Sequence, residues 1–249
     1  MAHGLAGQGM IRLWEPEVLE SQRRWLAAAV AGGRRVVVEP WLERIADFSV
    51  HFEAQADRLQ TRGYAGLSND ARGQYESNWV GGDHGRKPPA PILEALRTVG
   101  VVPSELVTLY EELRQELETE LQVRRYLGPV GVDALVYRDS NGQVRLKPVV
   151  EINPRYTMGR LTLELMARVG PGSAARFRLV RAAQVKAEGQ DDFASYARML
   201  AERSPLHLEG QPIARIREGT VVLNDPGQAT GYLAILEVSR KAPPNWGSI

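Results

Sequence analysis

The sequence predicts an α+β fold in which an antiparallel sheet carries packed helices, and three stretches predict it. The first, GPVGVDALVYRDSNGQVRLKPVVEINPR (128–155), holds two strand-like runs joined at Ser140-Asn141-Gly142, a strong hairpin-turn signal. The second is the recurrence of Leu106, Leu109, Leu113, Leu117 and Leu121 at helical spacing within 104–125. The third, ADFSVHFEAQA (46–56), alternates apolar and polar residues as a half-buried strand does.

From the N-terminus, a Gly-rich start leads into WEPEVLESQRRWLAAAVAGG (14–33), which reads as a helix with Pro16 in its first turn and a Gly-Gly stop. RRVVVEPWL (34–42) reads as a strand, followed by the strand 46–56. Between 61 and 91 the composition shifts to Gly, Asn, Asp, Arg and Pro, which predicts a long functional or disordered loop. Helices are expected near 91–99 and 104–125, then the hairpin, then a helix in TMGRLTLELMARVG (157–170) ended by Gly170. Beyond it, helices are expected near 174–187 and 191–202, and strands in PIARIREGTVVLN and GYLAILEVSR.

Composition narrows the function classes. The 249 residues are 43% hydrophobic and 24% charged with a net charge of +1, a balance without a nucleic-acid or membrane footprint. The absence of cysteine excludes disulfides, thiolate metal sites and cysteine nucleophiles. No apolar run approaches the roughly 20 residues of a membrane span, and MAHGLAGQGMIRL lacks the order of a signal peptide. The expectation is a cytoplasmic protein that uses oxygen or nitrogen chemistry.

That chemistry concentrates in VVEINPRYTMGRL (149–161), where Glu151, Asn153 and Arg155 interrupt an apolar run at every second position. Side chains alternate in a strand, so Glu151 and Asn153 project from one face, with Val149 and Ile152 expected in the core. Counting back through the turn places Asp133 opposite positions 150–152. Two carboxylates and an amide at one point repel unless a hard cation sits between them, and an oxygen-only set suits Mg²⁺ or Mn²⁺. The alternative is a cross-face ion pair between Glu151 and Arg155 on a solvent-exposed sheet.

GVDALVY, a hairpin turn and then PVVEINPRYTMG resemble the catalytic half of the ATP-grasp superfamily, whose members couple ATP cleavage to ligation of a carboxylate with an amine or other nucleophile. The resemblance implies that Asp133, Glu151 and Asn153 hold the Mg²⁺ that bridges the ATP phosphates. It also implies that Arg155 faces the transferred phosphate or the bound acid. GLAGQGMIRL (4–13) is similar to the family's glycine-rich loop, with Gly4, Gly7 and Gly9 letting backbone N–H groups approach phosphate oxygens. Glu39 matches the hinge acid that accepts from the adenine amino group, Leu42 a residue whose backbone meets the adenine, and Asp47 an acidic position just after the hinge.

On this reading residues 1–170 form a partial ATP-grasp domain: 1–42 as a lid remnant with the loop and hinge, 43–170 as the catalytic subdomain. Residues 171–249 form a small α+β appendage. The family's preceding domain and the phosphate-binding lysine before the glycine-rich loop are not matched, since Lys87, Lys147, Lys186 and Lys241 all lie elsewhere. The resemblance therefore implies an N-terminally truncated ligase that uses ATP and Mg²⁺ to join a small-molecule carboxylate to an amine through an acyl phosphate. Its alternative is a non-catalytic nucleotide- or metal-binding module, or an inactive fragment, that needs a partner for its lid. Small-molecule substrates are expected, with neither nucleic acid nor membrane as partner and a homo-oligomer left open. In 62–78, Arg62, Asn69, Arg72, Tyr75 and Asn78 are candidates for acceptor contacts, while His51, His84 and His207 lack metal-like spacing and read as surface or satisfied histidines.

Overall fold

The computed structural model of the chain describes residues 11, 13, 17–69, 75–241 and 246. It divides into two compact units, Met1–Glu43 and Arg44–Ile249. In the first, helix α1 (Glu20–Ala31) is carried by its Ala run and stopped at Gly32-Gly33, where Gly33 takes a φ of 70°. The stretch 34–42, expected as a strand, is in neither helix nor strand, and Val37 and Val38 are exposed. A β-branched run has strand propensity, but a strand needs a neighbour to take its N–H and C=O groups.

The second unit is built on a nine-stranded sheet of order β5-β4-β1-β2-β3-β6-β9-β8-β7. The strands are β1 (Glu43–Ala54), β2 (Leu59–Asn69), β3 (Tyr75–Val80), β4 (Gly128–Arg138), β5 (Val144–Asn153), β6 (Ala174–Arg181), β7 (His207–Glu209), β8 (Arg215–Val222) and β9 (Tyr232–Ser239). The helices are α2 (Ala90–Arg97), α3 (Pro103–Val123), α4 (Met158–Leu165), α5 (Ala182–Ala187) and α6 (Phe193–Arg203). Among the described residues no helix is long and apolar enough to cross a membrane.

Period-two alternation in β1 sorts its side chains between two layers. Ala46, Phe48, Val50, Phe52 and Ala54 join a core with Ile92 and Leu96 of α2, Leu106, Tyr110, Leu117 and Leu121 of α3, and Val130, Val132, Ala134 and Val136 of β4. Asp47, Ser49, His51 and Glu53 point to the other face, over which α4 packs through Leu161, Leu163 and Leu165 against Ala65, Val80, Ala175 and Phe177. A third cluster seats α5 and α6 on β6 and β9 through Val185, Phe193, Tyr196, Leu200, Leu233 and Ile235.

Two expectations are corrected here. The 61–91 segment is not one long loop: its residues 61–69 and 75–80 belong to β2 and β3 inside the sheet, with register Gly66↔Trp79 and Leu67↔Asn78. Its loop-like composition has a packing cause, because a Cβ on Gly66 would sit 2.1 Å from the Trp79 indole, and the buried polar residues bond inward, Asn78 Nδ2 to the Gly66 carbonyl at 3.0 Å and Ser68 Oγ to the Trp246 carbonyl at 2.9 Å. Residues 174–181 form strand β6 rather than the start of a helix. In AARFRLVR, Ala175 and Phe177 alternate with Arg176 and Arg178, a period of two that outweighs the helix propensity of alanine and arginine.

Candidate functional site

The hairpin β4–β5 sets Asp133 directly across from Glu151 and Gly131 across from Asn153. Directly opposed residues share a face with Cβ atoms about 4.5–5.5 Å apart, so Asp133, Glu151 and Asn153 converge. Asn153, 3% exposed, donates from Nδ2 to Asp133 Oδ2 at 2.9 Å, and Arg155 Nη2 donates to Asn153 Oδ1 at 2.8 Å. A row of guanidinium, amide and carboxylate results. Arg155 reaches the amide, not Glu151 as the ion-pair alternative required.

Burial pushes the Asp133 carboxyl up to about 6, and the neighbouring Glu151 charge adds to the effect, while Arg155 and the Asn153 amide oppose it. Asp47 contributes a further, smaller push on Asp133 from the same face. Asp47 is itself buried, and its Oδ2 accepts from Asn69 Nδ2 at 3.0 Å and from Arg44 Nη1 at 3.3 Å. Its own pKa is raised by burial, with the Arg44 charge and both hydrogen bonds pulling it back.

These donors fit a hard divalent cation in charge and in kind. Asp133 and Glu151 are opposed anions, one of them largely desolvated, which is the arrangement a bound cation relieves. Asn153 Oδ1 is engaged by Arg155, so ligation through it requires the amide to turn toward the carboxylates. Among the described residues no group of three or more His, Asp or Glu side chains stands close enough to hold a metal, so the anionic share of the set is two carboxylates.

The chain leaving Arg155 is fixed by α4. Thr157 caps the helix by accepting from the Arg160 N–H at 3.2 Å. Arg160, 4% exposed, reaches Glu53 at 2.6 Å, Glu164 at 2.9 Å and the Phe52 carbonyl at 3.1 Å, tying α4 to β1. Tyr156 Oη completes the clasp by donating to Glu164 Oε1 at 2.7 Å. Gly159 lies against the buried His51: a Cβ there would stand 2.5 Å from His51 Nε2 and 2.9 Å from Ser49 Oγ.

His51 is neither a surface nor a fully satisfied histidine. It is 1% exposed, its Nε2 lies 2.7 Å from Ser49 Oγ, and its buried Nδ1 has no hydrogen-bond partner among the described residues. Burial first, and then the Arg160 charge, lower its pKa to about 3, so the imidazole is neutral at physiological pH.

The structure thus brings Asp47, Asp133, Glu151, Asn153 and Arg155 into one neighbourhood. Glu39 and Leu42 lie in the 34–42 stretch of the first unit, and Gly4, Gly7, Gly9 and Arg72 fall outside the described residues. Ile152, expected in the core, is 42% exposed and Val150 43%, as befits β5, the edge strand of the sheet. Sequence reasoning missed Arg44, Glu53 and Arg160. The alternation of Asp47, Ser49, His51 and Glu53 along one face of β1 was the signal that marked that face as polar.

No family model matches the sequence, and no curated protein matches it. Solved structures do show likeness at low identity. N5-carboxyaminoimidazole synthetase from Staphylococcus aureus, complexed with ADP, is 12% identical with a TM-score of 0.48, over 98% of this chain and 56% of that one. The biotin carboxylase domain of a single-chain bacterial carboxylase is 14% identical with a TM-score of 0.45, over 92% and 50%. The biotin carboxylase domain dimer of Hydrogenobacter thermophilus 2-oxoglutarate carboxylase, in complex with MgADP, ADP and bicarbonate, is 11% identical with a TM-score of 0.44, over 87% and 46%. The chain spans about half the length of these solved chains.

Proposed function

We propose that the chain is the catalytic part of an ATP- and Mg²⁺-dependent ligase of the ATP-grasp type, joining a small-molecule carboxylate to an amine or other nucleophile. The observation that carries this reading is the cross-strand pair Asp133–Glu151 with Asn153 and Arg155 in line beside it. Asp133, Glu151 and Asn153 would hold Mg²⁺ or Mn²⁺, which when bound neutralises charge on the phosphates and on the oxygens of phosphoryl transfer. Gly4, Gly7, Gly9, Glu39 and Leu42 are assigned to the nucleotide. Asp47 is assigned to the nucleotide side of the site, held there by Arg44 and Asn69.

In the reaction a carboxylate oxygen of the substrate attacks the γ-phosphorus of ATP, the bond from that phosphorus to the bridging oxygen breaks, and ADP leaves. The amine nitrogen then attacks the acyl carbon, phosphate departs and the nitrogen loses a proton. Arg155 would orient the acid or meet the transferred phosphate; its exposed side chain is anchored by hydrogen bonds to Asn153 and to the Tyr156 carbonyl, which supports that role. His51, neutral and enclosed, is not assigned as the base.

A second reading, a nucleotide- and metal-binding module without turnover, is favoured by one sequence observation: none of the four lysines lies near the glycine-rich stretch. A thermal-shift titration with Mg·ATP, run beside an ADP-release assay, tests both. Stabilisation by Mg·ATP that Glu151→Ala abolishes supports the site, and release of ADP separates the ligase from the module. No stabilisation by Mg·ATP, or equal stabilisation of Glu151→Ala, sinks both.

A further inference from the structure

The ladder between β4 and β5 is broken at the point that matters to the carboxylate pair. Toward the turn, Leu135 faces Lys147, Val136 faces Leu146 and Tyr137 faces Arg145; beyond the break, Asp133 faces Glu151 and Gly131 faces Asn153. Two steps along β4, from 135 to 133, are matched by four along β5, from 147 to 151. The extra residues are taken up at Pro148–Val150 as a bulge. Continued without it, the turn-side register would set Val149 opposite Asp133 and Glu151 opposite Gly131, so the carboxylate pair exists because of the bulge.

The bulge is held from the helical layer. Pro148 has no N–H to give to the ladder, and its carbonyl accepts from Tyr110 Oη of α3 at 3.0 Å. Tyr110 is 2% exposed and wedged edge-on against Phe48 and Tyr64, with ring centroids 5.9 and 6.1 Å away, so its hydroxyl is delivered from a fixed position. Val149, within the bulge, packs against the same core.

We propose that Tyr110 is a positioning residue for the candidate metal site: its hydroxyl fixes the bulge at Pro148 and so sets Glu151 opposite Asp133. What the pair binds rests on the function proposed above; the register does not. Tyr110→Phe keeps the ring and removes the hydroxyl that holds the bulge carbonyl.

The chain has no cysteine, so introduced pairs report register without background. Under mild oxidation, Asp133→Cys/Glu151→Cys should crosslink in preference to Asp133→Cys/Val149→Cys, and adding Tyr110→Phe should move yield from the first pair to the second. Deleting Pro148 and Val149 makes the two registers continuous, so in that background Tyr110→Phe should leave the 133–151 crosslink intact. In the chain with native carboxylates, Tyr110→Phe should weaken Mn²⁺ binding, followed by electron paramagnetic resonance, about fivefold, the worth of one net hydrogen bond. Tyr196→Phe, whose hydroxyl bonds Arg178 and Glu188 in the α6 cluster, removes a comparable group and should leave Mn²⁺ affinity unchanged. An unchanged crosslink ratio in folded Tyr110→Phe, or an equal effect of Tyr110→Phe with and without the deletion, overturns the proposal. Wild-type chain that binds no Mn²⁺ counts against the proposed function alone, because the crosslinks still decide the register.

Discussion

Replacing Asp133 by asparagine should stabilise the fold at neutral pH and leave it unchanged below about pH 4. In the folded chain the Asp133 carboxyl is raised from 3.8 to about 6, first by burial and then by the Glu151 charge. A carboxyl raised on folding contributes stability that is fully present below its unfolded value, near 3.8, and is lost as pH rises through its folded value, near 6. At about 1.4 kcal/mol per unit, the loss is about 3 kcal/mol at most, and about 1–3 kcal/mol once solvent reaching the open side of the carboxyl is counted. Asparagine removes the charge while its carbonyl oxygen still accepts from Asn153 Nδ2. For a chain of this size 1 kcal/mol moves the melting temperature by about 2–4 °C, so the variant should melt several degrees above wild type at pH 7.5 and level with it near pH 3.5. Melting both proteins side by side across pH isolates this group, because every other carboxylate is common to the two. Saturating Mg²⁺ should narrow the gap by stabilising only the chain that keeps the carboxylate pair. A melting-temperature difference that stays constant from pH 4 to pH 8, or a variant less stable than wild type at pH 7.5, would refute the reasoning.

Arg160→Ala should cost about 3–5 kcal/mol in denaturant melts, since it strands the Glu53 charge and takes a donor from the Phe52 carbonyl; adding Glu53→Gln should recover part of that loss, and strictly additive losses would show that the two residues do not act as a pair. Gly159→Ala should destabilise by about 1–3 kcal/mol because its Cβ would press on His51 and Ser49, and His51→Ala in the same chain should relieve most of it. A Gly159→Ala chain that melts like wild type would mean that α4 can lift from β1 without loss.

The parts of the fold that sequence disclosed are those fixed by near neighbours. The Ser140-Asn141-Gly142 turn and the alternation on either side of it are local, so the hairpin and the shared face of Glu151 and Asn153 could be read directly. The opposition of Asp133 and Glu151 could be placed only to within a residue, because the deciding feature, the bulge at Pro148, is anchored by a hydroxyl 38 residues away in α3. Distance along the chain defeated the other readings as well. Ser68, Ser77 and Asn78 look like loop residues until Trp246 and the Gly66 carbonyl supply partners for two of them inside the sheet. RRVVVEPWL looks like a strand because its propensity is local, whereas the neighbour that would make it one is not.

The charge balance of the site face ties these observations to chemistry. Asp47, Asp133 and Glu151 supply three carboxylates, and Arg44 and Arg155 supply two guanidiniums. Each guanidinium is held by a hydrogen bond at 2.8–3.3 Å, Arg44 to Asp47 itself and Arg155 to the amide that bonds Asp133. Among these five described side chains that leaves one negative charge uncompensated, and it falls at the Asp133–Glu151 pair, where burial makes it most costly. A divalent cation there would overcompensate these five side chains by one charge, which is the sign needed to attract a polyphosphate; a monovalent cation would leave them neutral together and without that attraction. The arrangement therefore predicts that Mg²⁺ or Mn²⁺ and a nucleoside polyphosphate bind with positive coupling, each raising the affinity for the other by the same factor. Independent binding of the two would mean that the carboxylate pair serves the hairpin's structure and not a ligand.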